Sequence, residues 1–101
     1  MLKKEFLTVG SRVKIGEIKD GLIGSMSIPD APPMTELPLY QATTFLGAGS
    51  FAVPAQTGDL LTIVRGPMKK NRFNVVEVHR MGDPKSYYVF WCNLRASCDH
   101  V

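Results

Sequence analysis

Three runs rich in β-branched and aromatic residues follow one another in the second half of the chain. They cover Leu60–Arg65, Arg72–His79 and Ser86–Cys92, and segments containing glycine and proline separate them at 66–71 and 81–85. Short apolar runs bounded by such turn residues are typical of β-strands. The pattern therefore predicts a β-meander over residues 57–96.

Apolar and basic residues alternate near the N-terminus, in the segment 8–17. Val13 and Ile15 share one face of this segment, whereas Arg12 and Lys14 fall on the other. This alternation is typical of a strand that buries one face and exposes the other. We therefore predict a half-exposed strand here.

The chain between residues 20 and 38 is rich in residues that interrupt regular structure. The Asp20-Gly21 step favours a hairpin that would bring Leu22–Ile28 back along the N-terminal strand. Four prolines follow in the segment 29–38. Each proline removes a backbone donor and fixes φ, so we expect an extended strap here rather than a central strand or a helix.

Residues 39–56 add two further strand predictions. Leu39–Leu46 has the composition of a strand, a glycine-containing tip follows at 47–50, and Phe51–Pro54 fits a short edge strand. Glycine and proline recur too often for an amphipathic helix of three turns. Strands of five to eight residues joined by short turns predict an all-β barrel or sandwich.

The composition narrows the class of protein. A chain of 101 residues with 45% hydrophobic and 21% charged residues is typical of one globular domain and unlike a disordered chain. No apolar run approaches the roughly 18–20 residues of a membrane span, and the N-terminus has no apolar signal-peptide core. Two cysteines favour free thiols over a disulfide framework. We expect a soluble cytoplasmic protein.

Positive charge is concentrated in the predicted meander. Residues 1–56 hold five Lys/Arg and five Asp/Glu, whereas residues 57–96 hold seven Lys/Arg and three Asp/Glu. An excess of this kind can attract a polyanion. The competing interpretation is that exposed turns carry lysine and arginine for solvation alone.

The order of these segments resembles an SH3-like barrel. Gly58-Asp59 is similar to the Gly-Asp step that often precedes the second strand of such barrels, and Phe90-Trp91 to the aromatic pair that ends a strand. Cys92–Ala96 could form the short single-turn helix that leads into a last strand. The resemblance covers residues 39–101, and Val9–Ile15 also resembles a barrel-opening strand.

The resemblance implies a single all-β domain built on a small SH3-like barrel. Residues 39–101 would form the barrel, residues 1–28 an N-terminal strand and hairpin arm, and residues 29–38 a proline-rich connector. An OB-type barrel is the alternative. The acidic first loop and paired tryptophans of peptide-binding SH3 domains are absent, so the resemblance does not imply binding of proline-rich peptides.

The strand Tyr87–Cys92 is apolar on both of its faces. Tyr87, Val89 and Trp91 alternate with Tyr88, Phe90 and Cys92. One set must fill the barrel. The other set is covered by the N-terminal arm, buried in a subunit interface, or exposed as a surface on which a ligand can stack.

Exposed rings beside cations would suit single-stranded nucleic acid, because bases stack on rings while phosphates pair with lysine and arginine. We therefore hypothesise a module that binds RNA or single-stranded DNA. Its predicted contact residues are Arg65, Lys69, Lys70, Arg72, Arg80, Tyr88 and Phe90.

The rival hypothesis is a protein-interaction or homo-oligomerisation module that uses the aromatic face, as in a small accessory protein of a phage or mobile element. Catalytic and metal hypotheses are weaker. Glu77 and His79, which lie two positions apart on one predicted strand, could form an acid–base pair, but a role as surface neighbours of side chains on the adjacent strand is favoured. The spacing of Cys92, Cys98 and His100 fits no usual structural zinc pattern. We expect a non-enzymatic module without metal or cofactor.

Overall fold

The computed structural model describes residues 2–18, 36–41, 52–70 and 73–101, which form a curled, seven-stranded antiparallel half-barrel. The strands are β1 (Arg12–Ile15), β2 (Leu37–Gln41), β3 (Ala52–Ala55), β4 (Leu60–Lys70), β5 (Phe73–Arg80), β6 (Ser86–Phe90) and β7 (Cys98–His100). Their order in the sheet is β3-β2-β6-β5-β4-β1-β7. The predicted all-β class is confirmed.

The predicted meander is confirmed, since β4, β5 and β6 are neighbours in the sheet. The predicted turn at 66–71 is wrong for most of its length, because β4 runs on to Lys70. Register shifts between Ile63 and Met68 accommodate Gly66 and Pro67 as irregularities of the ladder. A bulged strand tolerates such residues, so the hairpin continues past them.

The N-terminal strand is also confirmed. Val13 and Ile15 are buried, and Arg12 and Lys14 are exposed. β1 lies between β4 and β7, so this segment is an interior strand of the sheet. The predicted hairpin at 20–28 and the proline-rich residues 29–35 lie outside the described residues.

A hairpin of β2 and β3 extends the sheet beyond β6. The predicted connector ends earlier than expected, because Pro38 lies within β2 and opposite Pro54 of β3. The described pairs of β2 with β6 involve Tyr40 and Gln41, so no pair on that side needs a donor from Pro38. β3 confirms the predicted edge strand, while residues 42–51 lie outside the described part.

The main core fills one face of the sheet. It contains Val13, Ile15, Leu37, Leu39, Leu61, Ile63, Val76, Val78, Tyr87 and Val89, together with residues from the segments flanking the strands. Leu2 and Leu7, on either side of a 3₁₀ turn at Lys4–Phe6, belong to the same core. Burying one such side chain contributes about 1.5–3 kcal/mol, and this contribution ties the N-terminal segment to the sheet.

A short helix, α1 (Trp91–Ser97), separates β6 from β7. The predicted strand therefore ends at Phe90 rather than at Cys92. Trp91 and Leu94 are three positions apart, which places both on the helix face that enters the core. The helix expected from the resemblance is thus present, one residue longer at each end. Within the described residues, no helix has the length and apolarity that a membrane crossing requires.

Candidate nucleic-acid interface

A second, smaller apolar cluster lies on the opposite face of β5 and β6 from the main core. Val75, Tyr88 and Phe90 are buried there, and Tyr40 and Met68 pack against them. Tyr88 is 7% exposed and Phe90 is 4% exposed. The aromatic face is therefore covered. As they stand, these two rings offer no open face on which a base could stack, although both were predicted as contact residues.

Phe73 lies at the rim of this cluster and is 38% exposed. Its ring centroid is 5.1 Å from that of Phe90, at an interplanar angle of 62°. Such an edge-to-face contact holds one side of the Phe73 ring against the sheet and leaves part of it in solvent. Phe73 was missing from the predicted site, although the alternation of β5 places it on the same face as Val75.

Two exposed lysines lie at the end of β4, and strand alternation places them on opposite faces of the β4–β5 hairpin. Lys70 is the register partner of Phe73, and Lys69 pairs with Asn74. The Lys70 Nζ lies 5.8 Å from the ring centroid of Tyr88, within the range of a cation–π contact. No acidic side chain among the described residues forms an ion pair with either lysine. The structure therefore places Lys70 on the same face as a partly exposed ring, whereas Lys69, at the adjacent position, projects from the opposite face.

Arg65 and Arg80 are held differently, because each faces a carboxylate. Arg65 Nε lies 3.5 Å from Glu77 Oε1, although the Arg65 side chain is 69% exposed. Arg80 Nη2 lies 3.2 Å from Asp59 Oδ2, and its Nη1 donates to the Pro54 carbonyl oxygen at 3.3 Å. A phosphate would have to compete with these acids.

The position of Arg80 separates it from the lysines. Arg80, on β5, pairs with Leu61 of β4 at the base of the hairpin. Lys70 lies at the other end of β4. Nine residues of strand correspond to roughly 25–30 Å at about 3.3 Å each. Arg80 therefore lies far from Lys69, Lys70 and Phe73 at the distal end of the hairpin. The last predicted cation, Arg72, lies outside the described residues.

Among the described residues, those that could serve in catalysis or metal binding contact neighbouring side chains or are buried, rather than forming one site. Glu77 faces Arg65, and His79 Nε2 lies 2.9 Å from Ser86 Oγ. Cys92 is exposed, whereas burial, together with the charge of Asp99, raises the pKa of the Cys98 thiol to about 12. Over the described ranges, no group of three or more His, Cys, Asp or Glu side chains is placed to hold a metal ion.

Comparison of the chain with models of known protein families, with curated proteins and with solved structures found no match.

Proposed function

We propose that this protein is a small module of SH3-like type that binds single-stranded nucleic acid at the distal end of the β4–β5 hairpin. Lys69 and Lys70 contact phosphates, and Phe73 stacks on a base. The observation that carries the proposal is the partly exposed Phe73 ring directly opposite Lys70. Lys69 is exposed at the neighbouring position of β4, on the other face of the hairpin.

The chemistry of the three side chains suits this ligand. Cations that meet phosphates release condensed counterions, and this release supplies affinity that falls with salt. A ring that accepts a base contributes roughly 1–3 kcal/mol per stacked base, without a requirement for a particular base. In this proposal the predicted rings Tyr88 and Phe90 support the contact residues. Tyr88 lies beneath the Lys70 ammonium, and Phe90 packs against the Phe73 ring.

The SH3-like part of the proposal is supported by the order of the elements. After the meander β4-β5-β6, the chain forms the short helix α1 and then β7, which returns to pair with β1. This is the order of segments on which the sequence resemblance depends. In this proposal β1 opens the barrel, and the hairpin of β2 and β3 is an insertion before its second strand.

The rival function is self-association or protein binding through the aromatic face. Burial of Tyr88 and Phe90 removes most of the apolar surface that such an interface would use, and leaves Phe73 as the ring with substantial exposure on the described part of that face. Size-exclusion chromatography with light scattering tests this alternative. A dimer that Phe73→Ala converts to a monomer would favour the rival function.

The nucleic-acid proposal is tested by fluorescence anisotropy with a labelled 12-nucleotide oligouridine at low salt. We expect Lys69→Ala/Lys70→Ala to weaken binding at least tenfold. The matched control is Arg12→Ala/Lys14→Ala, which removes two exposed cations from β1. Equal losses in both double variants would show binding by net charge alone and would overturn the proposed site, as would absence of binding by the natural chain.

A further inference from the structure

A separate groove lies beside helix α1. Its volume is about 330 Å³, and it is lined by Leu2, Lys3, Lys4, Trp91 and Arg95. This volume is at the lower end of the range for small-molecule sites, roughly 300–1,000 Å³. None of the five residues belongs to the proposed nucleic-acid site on the hairpin.

The floor and the rim of the groove have different chemistry. Leu2 and Trp91, which are both buried members of the main core, supply apolar surface. Lys3, Lys4 and Arg95 are exposed and supply three positive charges. Such a combination is complementary to an anion that carries an apolar body.

The local fold holds these groups in place. Leu2 and Leu7 are buried on either side of the 3₁₀ turn, so the segment that carries Lys3 and Lys4 is anchored at both ends. Trp91 and Arg95 are four positions apart on α1, which places them next to each other along the helix surface. The groove therefore lies between two anchored elements.

The three cations have no acidic partner among the described residues, and none of the described residues that line the groove carries a carboxylate. Glu5, the neighbouring acid in the sequence, is exposed and does not contribute to the lining. Three like charges around one groove repel one another, and a bound anion would relieve that repulsion. An arginine guanidinium also matches the two oxygens of a carboxylate, sulfonate or phosphate.

We propose that this groove binds a small organic anion with an apolar or planar body. The anionic group contacts Lys3, Lys4 and Arg95, and the body lies against Leu2 and Trp91. The site is independent of nucleic-acid binding by the hairpin.

Trp91 is the single tryptophan of the chain, so its emission reports on the groove directly. The probes are octanoate and naphthalene-2-sulfonate. Calorimetry measures the binding of both anions, and Trp91 emission also measures the binding of octanoate. Octanamide serves as the uncharged control. We expect saturable binding of at least one anion, with octanamide at least tenfold weaker than octanoate. Lys4→Ala/Arg95→Ala should weaken the binding of that anion at least tenfold, while Lys69→Ala/Lys70→Ala should leave it unchanged.

The proposal is overturned if neither anion binds, if octanoate binds but octanamide binds equally well, or if Lys4→Ala/Arg95→Ala leaves the affinity for the bound anion unchanged. Lys4 and Arg95 are exposed, so their replacement should preserve the fold, and far-ultraviolet circular dichroism checks this. Failure of the groove would leave oligouridine binding by the hairpin intact. A loss of oligouridine binding in the hairpin variant alone would likewise leave the groove intact.

Discussion

The two ends of the β4–β5 hairpin use the same pair of strands for different purposes. At the base, Ile63 and Val78 are buried register partners, and Arg80 is paired with Asp59. At the distal end, Lys70 and Phe73 are register partners that both reach solvent. One hairpin thus carries core residues at its base and exposed side chains at its tip.

Pairing on the second side of β4 accounts for this difference. The described pairs of β1 with β4 end at Thr62, so the base of β4 lies between two strands. Beyond the register shifts near Arg65, the described pairs of β4 are with β5 alone. Where two strands flank β4, its alternate residues Leu61 and Ile63 lie inside the sheet and pack into the main core. A strand with one neighbour can present polar and aromatic groups at its end.

The largest expected effect is on stability at the base. Ile63→Ala removes a side chain that is fully within the main core, and such truncations cost about 2–5 kcal/mol. Lys70→Ala, at the distal end, should change the free energy of unfolding by less than about 0.5 kcal/mol. Urea unfolding measures both variants. Similar losses at the two ends would contradict the division between core and exposed tip.

The next effect is on binding at the tip. Phe73→Ala should weaken binding of oligouridine by about 1–3 kcal/mol, because it removes the ring on which a base stacks. Phe73→Tyr, which retains the ring, is the matched variant and should bind almost as well as the natural chain. Fluorescence anisotropy measures both. If Phe73→Ala binds with unchanged affinity, stacking at this position is excluded.

The smallest effect concerns the turn between β5 and β6, near the base. The Asp83 carboxylate accepts hydrogen bonds from the Tyr87 hydroxyl and from the Lys85 backbone N–H. These two bonds, the one from Tyr87 first, lower the pKa of Asp83. A lowered folded-state pKa stabilises the fold above the ordinary value of about 3.9, and the stabilisation is lost as pH falls through the lowered pKa. Tyr87→Phe removes the largest cause of this shift.

We therefore expect the stability difference between the natural chain and Tyr87→Phe to shrink on acidification. Urea unfolding at several pH values below about 5 measures the difference. Asp83→Asn is the control, because it removes the titrating group. A difference that stays constant with pH would show that Asp83 is not linked to Tyr87 in this way.

Local alternation in the sequence was sufficient to predict much of the fold. The meander, the faces of β1 and the edge position of β3 follow from residue patterns over four to eight positions. The length of β4 did not, because Gly66 and Pro67 are breakers by composition. Their place in a strand depends on pairing with β5, which tolerates the register shifts. Pro38 was likewise assigned to the proline-rich connector by composition, although its place in β2 depends on pairing with β3.

The candidate site was harder to predict, because it depends on contacts between distant segments. The sequence showed that β6 is apolar on both faces, but it could not show that Tyr40 and Met68 pack over Tyr88 and Phe90. The ion pairs of Arg65 and Arg80 likewise depend on register and on approach of Asp59. The signal for Phe73 was present in the alternation of β5.

The salt dependence of oligouridine binding tests the central claim most directly. Each phosphate contact to a single strand contributes about 0.7 to the slope of log affinity against log salt. Lys69→Ala/Lys70→Ala should therefore flatten the slope by about 1.4, because two contacts are removed. Arg80→Ala, at the base, should leave it unchanged. Equal slopes for the natural chain and the double lysine variant would contradict the account.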